Sequence, residues 1–202
     1  MENKKKELDR YKWNYKKEIR KQLRIGSFVL SQPFLADDVF KRTVCLMCAH
    51  SKEEGSFGFI LNKPTEFIVS DFIEELDDLA LPVYFGGPVA NDSLYFLHDN
   101  SLQIEDALEI LPGVYWGGDF QQMIEKIKTA ESSPKHFKFI LGYSGWDPGQ
   151  LRKELIEDSW IVAKGSANKV FSSSDDLWKE IMNGLGDLYH HLASLPERPE
   201  LN

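Results

Sequence analysis

Thr43-Val44-Cys45-Leu46-Met47-Cys48-Ala49-His50, then Lys52-Glu53-Glu54-Gly55-Ser56, then Phe57-Gly58-Phe59-Ile60-Leu61-Asn62: two short apolar runs flank a charged, glycine-bearing turn. Neither run has the 3.6-residue period of a helix, and each is too short for one. The pair reads as a β-hairpin, and a hairpin makes its sheet antiparallel.

Working outward, similar short runs occur at Ser27–Ser31, Val83–Gly86, Leu94–His98, Ala107–Leu111, Val114–Gly117, Phe137–Tyr143 and Trp160–Lys164. Ala90-Asn91-Asp92-Ser93 reads as a second hairpin connection. Helices are expected at intervals between the strands. One spans about Ser70–Asp78. A second starts at Asp119, where Asp119-Phe120-Gln121-Gln122 has the form of a capping box, and carries Met123, Ile124 and Ile127 inward. A third starts with Asp147 as cap, Pro148 in the first turn and Gln150 reaching back, and carries Leu151, Leu155 and Ile156 inward. The last covers Asp175–Ser194 with a break near Gly184 and Gly186. Pro196 and Pro199 end it. No repeat or linker divides the chain. The class is α+β, with one domain over residues 25–195, a tail at 196–202 and a separate arm at 1–24.

The arm differs in charge from everything after it. Residues 1–24 carry a net +6 and the rest of the chain −14, within a total of −8. Leu8, Tyr11, Tyr15, Ile19 and Leu23 recur at steps of three or four, so the arm reads as an amphipathic basic helix. Two readings stand: it contacts nucleic acid or a membrane surface with help from Tyr11, Trp13 and Tyr15, or it lies on the acidic body of its own or a neighbouring subunit. The acidic body itself repels nucleic acid, so only residues 1–24 could attract it.

The start, Met1-Glu2-Asn3-Lys4 followed by further charges, does not have the form of an export signal. No run of about 18 apolar residues suits a membrane-spanning helix. Cys45 and Cys48 fit a reducing compartment, and the cytoplasm is expected. Their C-x-x-C spacing lies in a strand, where residues an odd number apart face opposite ways, so the pair reads as two buried thiols rather than a redox or zinc site.

No catalytic set is recognisable. Gly142-Tyr143-Ser144-Gly145-Trp146 approaches the nucleophile elbow, but Trp146 stands where glycine is required. Gly86-Gly87-Pro88 lacks the Lys-Ser/Thr of a phosphate-binding loop. His50, His98, His136, His190 and His191 do not have metal-ligand spacing, so no metal and no cofactor is expected.

Four blocks remain unusual: Gly26-Ser27-Phe28-Val29-Leu30-Ser31-Gln32-Pro33, Gly58-Phe59-Ile60-Leu61-Asn62-Lys63-Pro64, Gly86-Gly87-Pro88-Val89, and Gly142-Tyr143-Ser144-Gly145-Trp146-Asp147-Pro148-Gly149-Gln150-Leu151. In this order they resemble the signature blocks of the bacterial AlgH family, also called YqgE-like. The resemblance covers about residues 25–185. It implies a mixed, largely antiparallel sheet bent toward a pseudo-barrel with several helices packed around it, and a bacterial cytosolic protein. It implies no activity. Some members carry the label of transcriptional regulator, but this chain has no helix-turn-helix cue and the matching region is acidic. Ser144 stands where the family more often has Ala, which argues against essential chemistry at that hydroxyl.

Each block has two readings. The glycines permit tight turns and close packing, and Trp146 plugs the core. Alternatively Asn62, Gly86, Gly87, Ser144, Trp146 and Gln150 line a ligand pocket. Two functions follow: a non-enzymatic binding or regulatory module with a protein partner, acting as monomer or homodimer, or a small-molecule-binding protein or enzyme using that pocket. The first is preferred, because no acid, base, nucleophile or metal set is visible.

Overall fold

The computed structural model describes residues 23–77, 79–99, 102–129 and 136–195. The tail and all of the arm except Leu23 and Arg24 lie outside the described residues. Ten strands occur among the latter: β1 (Ser27–Ser31), β2 (Val44–Ser51), β3 (Gly55–Ile60), β4 (Pro64–Ile68), β5 (Pro82–Phe85), β6 (Val89–Asp99), β7 (Leu108–Leu111), β8 (Val114–Trp116), β9 (Phe137–Trp146) and β10 (Trp160–Lys164). Five helices join them: α1 (Phe120–Lys128), α2 (Gln150–Ile156), α3 (Ala167–Val170), α4 (Leu177–Asn183) and α5 (Asp187–Ser194).

The opening hairpin forms as β2 and β3, antiparallel, with Cys45 opposite Ile60 and Ser51 opposite Gly55. The strand path runs β10-β1-β2-β3-β9-β6-β8-β7, and β5 pairs in parallel with β9 while carrying β4 on its other side. The class is α+β, as expected. The bend toward a pseudo-barrel is not found: the sheet neither closes nor curls strongly. The ladder path begins at β10, paired to β1, and ends at β7, paired to β8, so nothing zips the first strand to the last. Closure requires a matched stagger and tilt around the whole ring. Here the apolar faces are buried by other means.

Three clusters do that. In β1 every residue is buried, because Phe28 and Leu30 point into one cluster with Trp178, Ile181 and Met182 of α4 while Val29 points the other way. That explains an unbroken apolar run where a half-exposed strand would alternate. The opposite face gathers Cys45, Met47, Trp146, Trp160 and Val162 under Leu151 and Leu155 of α2. Further along the sheet, Phe137, Phe139, Phe96 and Val83 lie beneath Met123, Ile124 and Ile127 of α1.

Several local expectations are corrected. The helix over Ser70–Asp78 is replaced by two single 3₁₀ turns, Val69–Asp71 and Glu74–Leu76, with Asp71 accepting from the Ile68 amide. Ala90-Asn91-Asp92-Ser93 is no hairpin end but an irregularity inside β6, where Ala90 has φ 45° and the pairing to β9 slips between Val89 and Leu94. Asp119 does cap α1, accepting from Gln122 N at 2.7 Å, yet Gln122 spends its own oxygen on Glu105 N. The cap of α2 is Gly149 at φ 78° rather than Asp147, and Ile156 is exposed.

Candidate functional site

The signature blocks converge where the sheet forks. Strand β9 pairs with β5 through Phe139–Leu141 and then with β3 through Ser144–Trp146, so β3 and β5 diverge from the same edge of β9. At the crotch sits Gly86. Its N–H donates to Leu141 O at 2.8 Å, and its carbonyl accepts from Ile60 N at 3.0 Å and from the Ser144 hydroxyl at 3.0 Å. A side chain at Gly86 would begin 2.3 Å from Gly142 O. Across from it, Gly142 has φ 70°, and a Cβ there would stand 2.6 Å from Gly87 O. The two glycine blocks are thus complementary halves of one backbone crossing.

The remaining expected site residues are placed as follows. Asn62 leaves the end of β3 and bridges back to the loop before β2, accepting from Val44 N at 2.8 Å and donating to Arg42 O at 2.8 Å. Gln150 accepts from Asp147 N and donates to Glu154 Oε1. Trp146, buried, donates its indole N–H to Glu154 Oε2 at 3.0 Å. Gly86, Gly87 and Ser144 are therefore brought together at the fork, Trp146 and Gln150 meet at Glu154, and Asn62 fastens a separate loop. The named side-chain polar atoms are committed to bonds within the chain. Ser144 is fully buried and lies inside β9, not at a strand-to-helix elbow.

Two groups escaped the sequence reading. Lys138 is 3% exposed, and its ammonium donates to Leu61 O at 2.8 Å and Ser172 O at 3.2 Å while standing 3.9 Å from the centre of the Tyr84 ring. Burial pushes it down to about 7. A lysine inside the apolar run Phe137-Lys138-Phe139-Ile140-Leu141 was the available signal. Glu154 gathers Trp146, Gln150 and also Trp160, whose indole donates at 2.6 Å. The cysteines match expectation: Cys45 and Cys48 are buried in clusters on opposite faces, and burial raises both thiols well above their usual range.

A cleft of about 690 Å³ opens elsewhere, at the two ends of the strand path. Its floor and walls are Ile110 and Leu111 of β7 with Pro112 beyond, Ala163 of β10, and the backbone of Gly26 and Gly165. Arg24 and Lys164 line it as well, both exposed. Arg24 is held in place through its backbone, which donates to Ser27 Oγ at 3.2 Å and accepts from Ser27 N at 3.0 Å. Neither cation has an ion-pair partner among the described residues. The size is that of a small-molecule site, and the lining is largely apolar with two positive charges. Among the described residues no cluster of three metal-ligating side chains occurs, and no helix is long and apolar enough to cross a membrane.

Comparison with known proteins agrees with this frame. The family described as DUF179: AlgH-like matches residues 28–190. A UPF0301 protein of Chlorobaculum parvum is 42% identical over 181 residues, covering 89% of this chain and 96% of that protein. One from Chlorobium limicola is 41% identical over 182 residues, covering 90% and 97%. Among solved structures, a crystal structure of a Corynebacterium diphtheriae protein aligns with TM-score 0.70 at 20% identity, over 84% of this chain and 91% of that one. The solution structure of the AlgH protein from Pseudomonas aeruginosa aligns with TM-score 0.65 at 25% identity, over 86% and 95%. Curated relatives that this chain spans almost end to end, and a family match running from β1 into α5, establish that the chain belongs to the AlgH-like family, UPF0301.

Proposed function

We propose that this protein is a non-enzymatic binding module of the bacterial cytosol, that it engages a protein partner, and that the cleft lined by Arg24 and Lys164 is its working surface. The observation that carries this reading is a contrast in commitment. Asn62, Ser144, Trp146, Gln150 and Glu154 spend their polar groups inside the chain. Arg24 and Lys164 present unneutralised charge over apolar walls, on a body whose net charge is negative. Such a pair draws an acidic group to one place on a surface that repels acids elsewhere.

Arg24, the last residue of the basic arm, lines this cleft. In this reading the arm adds contact area for the partner. Nucleic acid remains conceivable only through residues 1–24, and the module acts as monomer or homodimer. The buried thiols fit a reducing compartment.

The test is affinity capture from a bacterial lysate with the full chain, with the chain lacking residues 1–22, and with an Arg24→Glu, Lys164→Glu double variant. Proteins, nucleic acids and metabolites are identified by mass spectrometry. A protein retained by the first and lost from the double variant is the expected result. Capture that ignores both cleft substitutions would sink the reading.

A further inference from the structure

We infer that the basic arm docks on its own body: residues 8–22 lie as an amphipathic helix beside α2, across the sheet face that carries Val29, Trp160 and Val162, with Tyr11, Tyr15 and Ile19 continuing the line of Leu23. The inference is independent of the cleft reading. Residues 8–22 lie outside the described residues, and three observations on the described ones place them.

First, the chain is folded back at the point where the arm begins. Ser27 N donates to Arg24 O at 3.0 Å and Arg24 N donates to Ser27 Oγ at 3.2 Å, around Gly26 at φ 81°. This tight turn reverses the chain at the start of β1. Gly26 N donates to Met47 O at 2.8 Å, which fixes the turn to β2. Leu23 packs against the cluster that contains Val29, Met47, Trp160 and Val162. It is also the last member of the stripe Leu8, Tyr11, Tyr15, Ile19, Leu23. On a helix Ile19 is one turn away on the same side, about 6 Å along the axis. The stripe is therefore anchored to this face at one end, and no linker separates Leu23 from the next member that would carry it to a distant surface.

Second, the face has room for a helix. Its cluster draws on β10, β1, β2 and β9, with β3 between the last two, a width of about 19 Å. Among the described residues, the apolar cover from outside the sheet is Leu151 and Leu155 of α2, with Leu23, Leu35 and Phe40 packed alongside. α2 has seven residues and is about 10 Å long. The opposite face is covered by three helices, α3, α4 and α5. A helix over residues 8–22 is about 22 Å long, enough to cross the face.

Third, charge adds to the attraction. The arm carries a net +6 and the body −14. Asp37 and Asp38, between Leu35 and Phe40, and Glu157 and Asp158, just after Leu155, are exposed at the margins of the face. Arg152 and Lys153 are interspersed with them, so the apolar stripe sets the position and the charge difference strengthens it. With Ile19 inward, Arg10, Lys17 and Lys21 fall on the outer side of the helix. A membrane then finds no apolar stripe, and nucleic acid meets only the outer cations.

The experiment uses the full chain without substitution. Amide exchange read by mass spectrometry should show residues 8–22 exchanging about tenfold more slowly than the same residues in a synthetic peptide of residues 1–24. Carbodiimide coupling, which joins a lysine to a carboxylate in direct contact, should link Lys12 or Lys16, which flank the stripe, to Asp37, Asp38, Glu157 or Asp158. In a mixture of unlabelled and heavy-nitrogen-labelled protein, those links should stay within one isotope population. Links between populations overturn docking on the chain's own body and assign the face to a second copy. Couplings confined to α4 and α5, or absent, overturn the placement. Residues 8–22 that exchange as fast as the peptide overturn the inference, whether or not a DNA duplex or an anionic vesicle then protects them. The Tyr15→Asp, Ile19→Asp double variant should release the arm and speed exchange in α2 and β10, while α4 keeps its rate. Release of the arm with α2 and β10 unchanged also overturns the placement, and if this variant does not fold, the couplings in the unsubstituted chain decide. Lysate capture with the Arg24→Glu, Lys164→Glu variant tests the cleft separately, so either reading can fail alone.

Discussion

Trp146 and Trp160 donate their indole N–H groups to the same oxygen, Oε2 of Glu154, at 3.0 and 2.6 Å, with their rings 5.7 Å apart and nearly perpendicular. One carboxylate on α2 thereby ties the end of β9 to the start of β10. Glu154→Ala strands two donors in a buried cluster, and unsatisfied donors of this kind cost about 1–3 kcal/mol each. The variant is expected to lose roughly 2–5 kcal/mol in urea unfolding. Glu154→Gln, which keeps an acceptor, should lose distinctly less. Equal loss for the two variants would show that the shared oxygen is not what matters.

The fork predicts unequal costs for glycine substitutions that look alike on paper. Gly86→Ala places a methyl 2.3 Å from Gly142 O, which is backbone, and 2.4 Å from Cγ2 of the fully buried Ile140. It should cost about 4 kcal/mol or leave the chain unfolded. Gly149→Ala forces an L residue to φ 78°, but it meets open space. That change should cost about 1 kcal/mol. Thermal midpoints of the purified variants make the comparison.

Ser144→Ala deletes one of two bonds to Gly86 O and leaves the other, from Ile60 N, in place. A loss of about 1 kcal/mol is expected, with partner binding unchanged. Asn62→Ala removes both the acceptor for Val44 N and the donor to Arg42 O, and should cost about 2 kcal/mol. Loss of partner capture by Ser144→Ala, in protein that remains folded, would return the fork to the list of binding sites.

Stability should pass through a maximum in the ordinary thiol range, about 8.5 to 9. Folding lowers Lys138 to about 7, so above that pH the unfolded chain holds a proton the native state has released. Stability then rises with pH, by at most about 1.4 kcal/mol per unit. Through the ordinary thiol range, about 8.5 to 9, the sign reverses: unfolded Cys45 and Cys48 ionise while the buried thiols stay protonated. Two groups then outweigh one. On the acid side burial lowers His98, so the unfolded chain takes up a proton first and stability falls below about 6.5. Urea midpoints across the range test this. Lys138→Met should flatten the rise, and a Cys45→Ala, Cys48→Ala double variant should extend it toward pH 10.

Much of the sheet was legible because its rule is local. Ser27–Ser31 and Trp160–Lys164 were bounded to the residue, since each is a run of apolar side chains between turn residues. β4 was missed: Pro64-Thr65-Glu66-Phe67-Ile68 is mostly exposed and pairs only with β5, so its sequence carries no burial pattern. The site was less legible than the fold. Gly86 and Gly142 are conspicuous in sequence, but their reason is a crossing between segments over fifty residues apart, which no local pattern encodes. Arg24 was visible only as the last charge of the arm, and Lys164 only as the end of a strand. Their meeting at one cleft is a product of topology.

The antiparallel pairing of β1 with β10 sets Ser31 beside Trp160 and Ser27 beside Lys164. During synthesis the first strand therefore emerges long before its outer neighbour exists. At about 5–20 residues per second, the wait is on the order of ten seconds. Throughout it, Phe28, Val29 and Leu30 are without the strand and the α4 helix that finally enclose them. The nascent chain thus has a built-in interval of vulnerability, and protection of its N-terminal half before termination becomes a requirement of the topology itself.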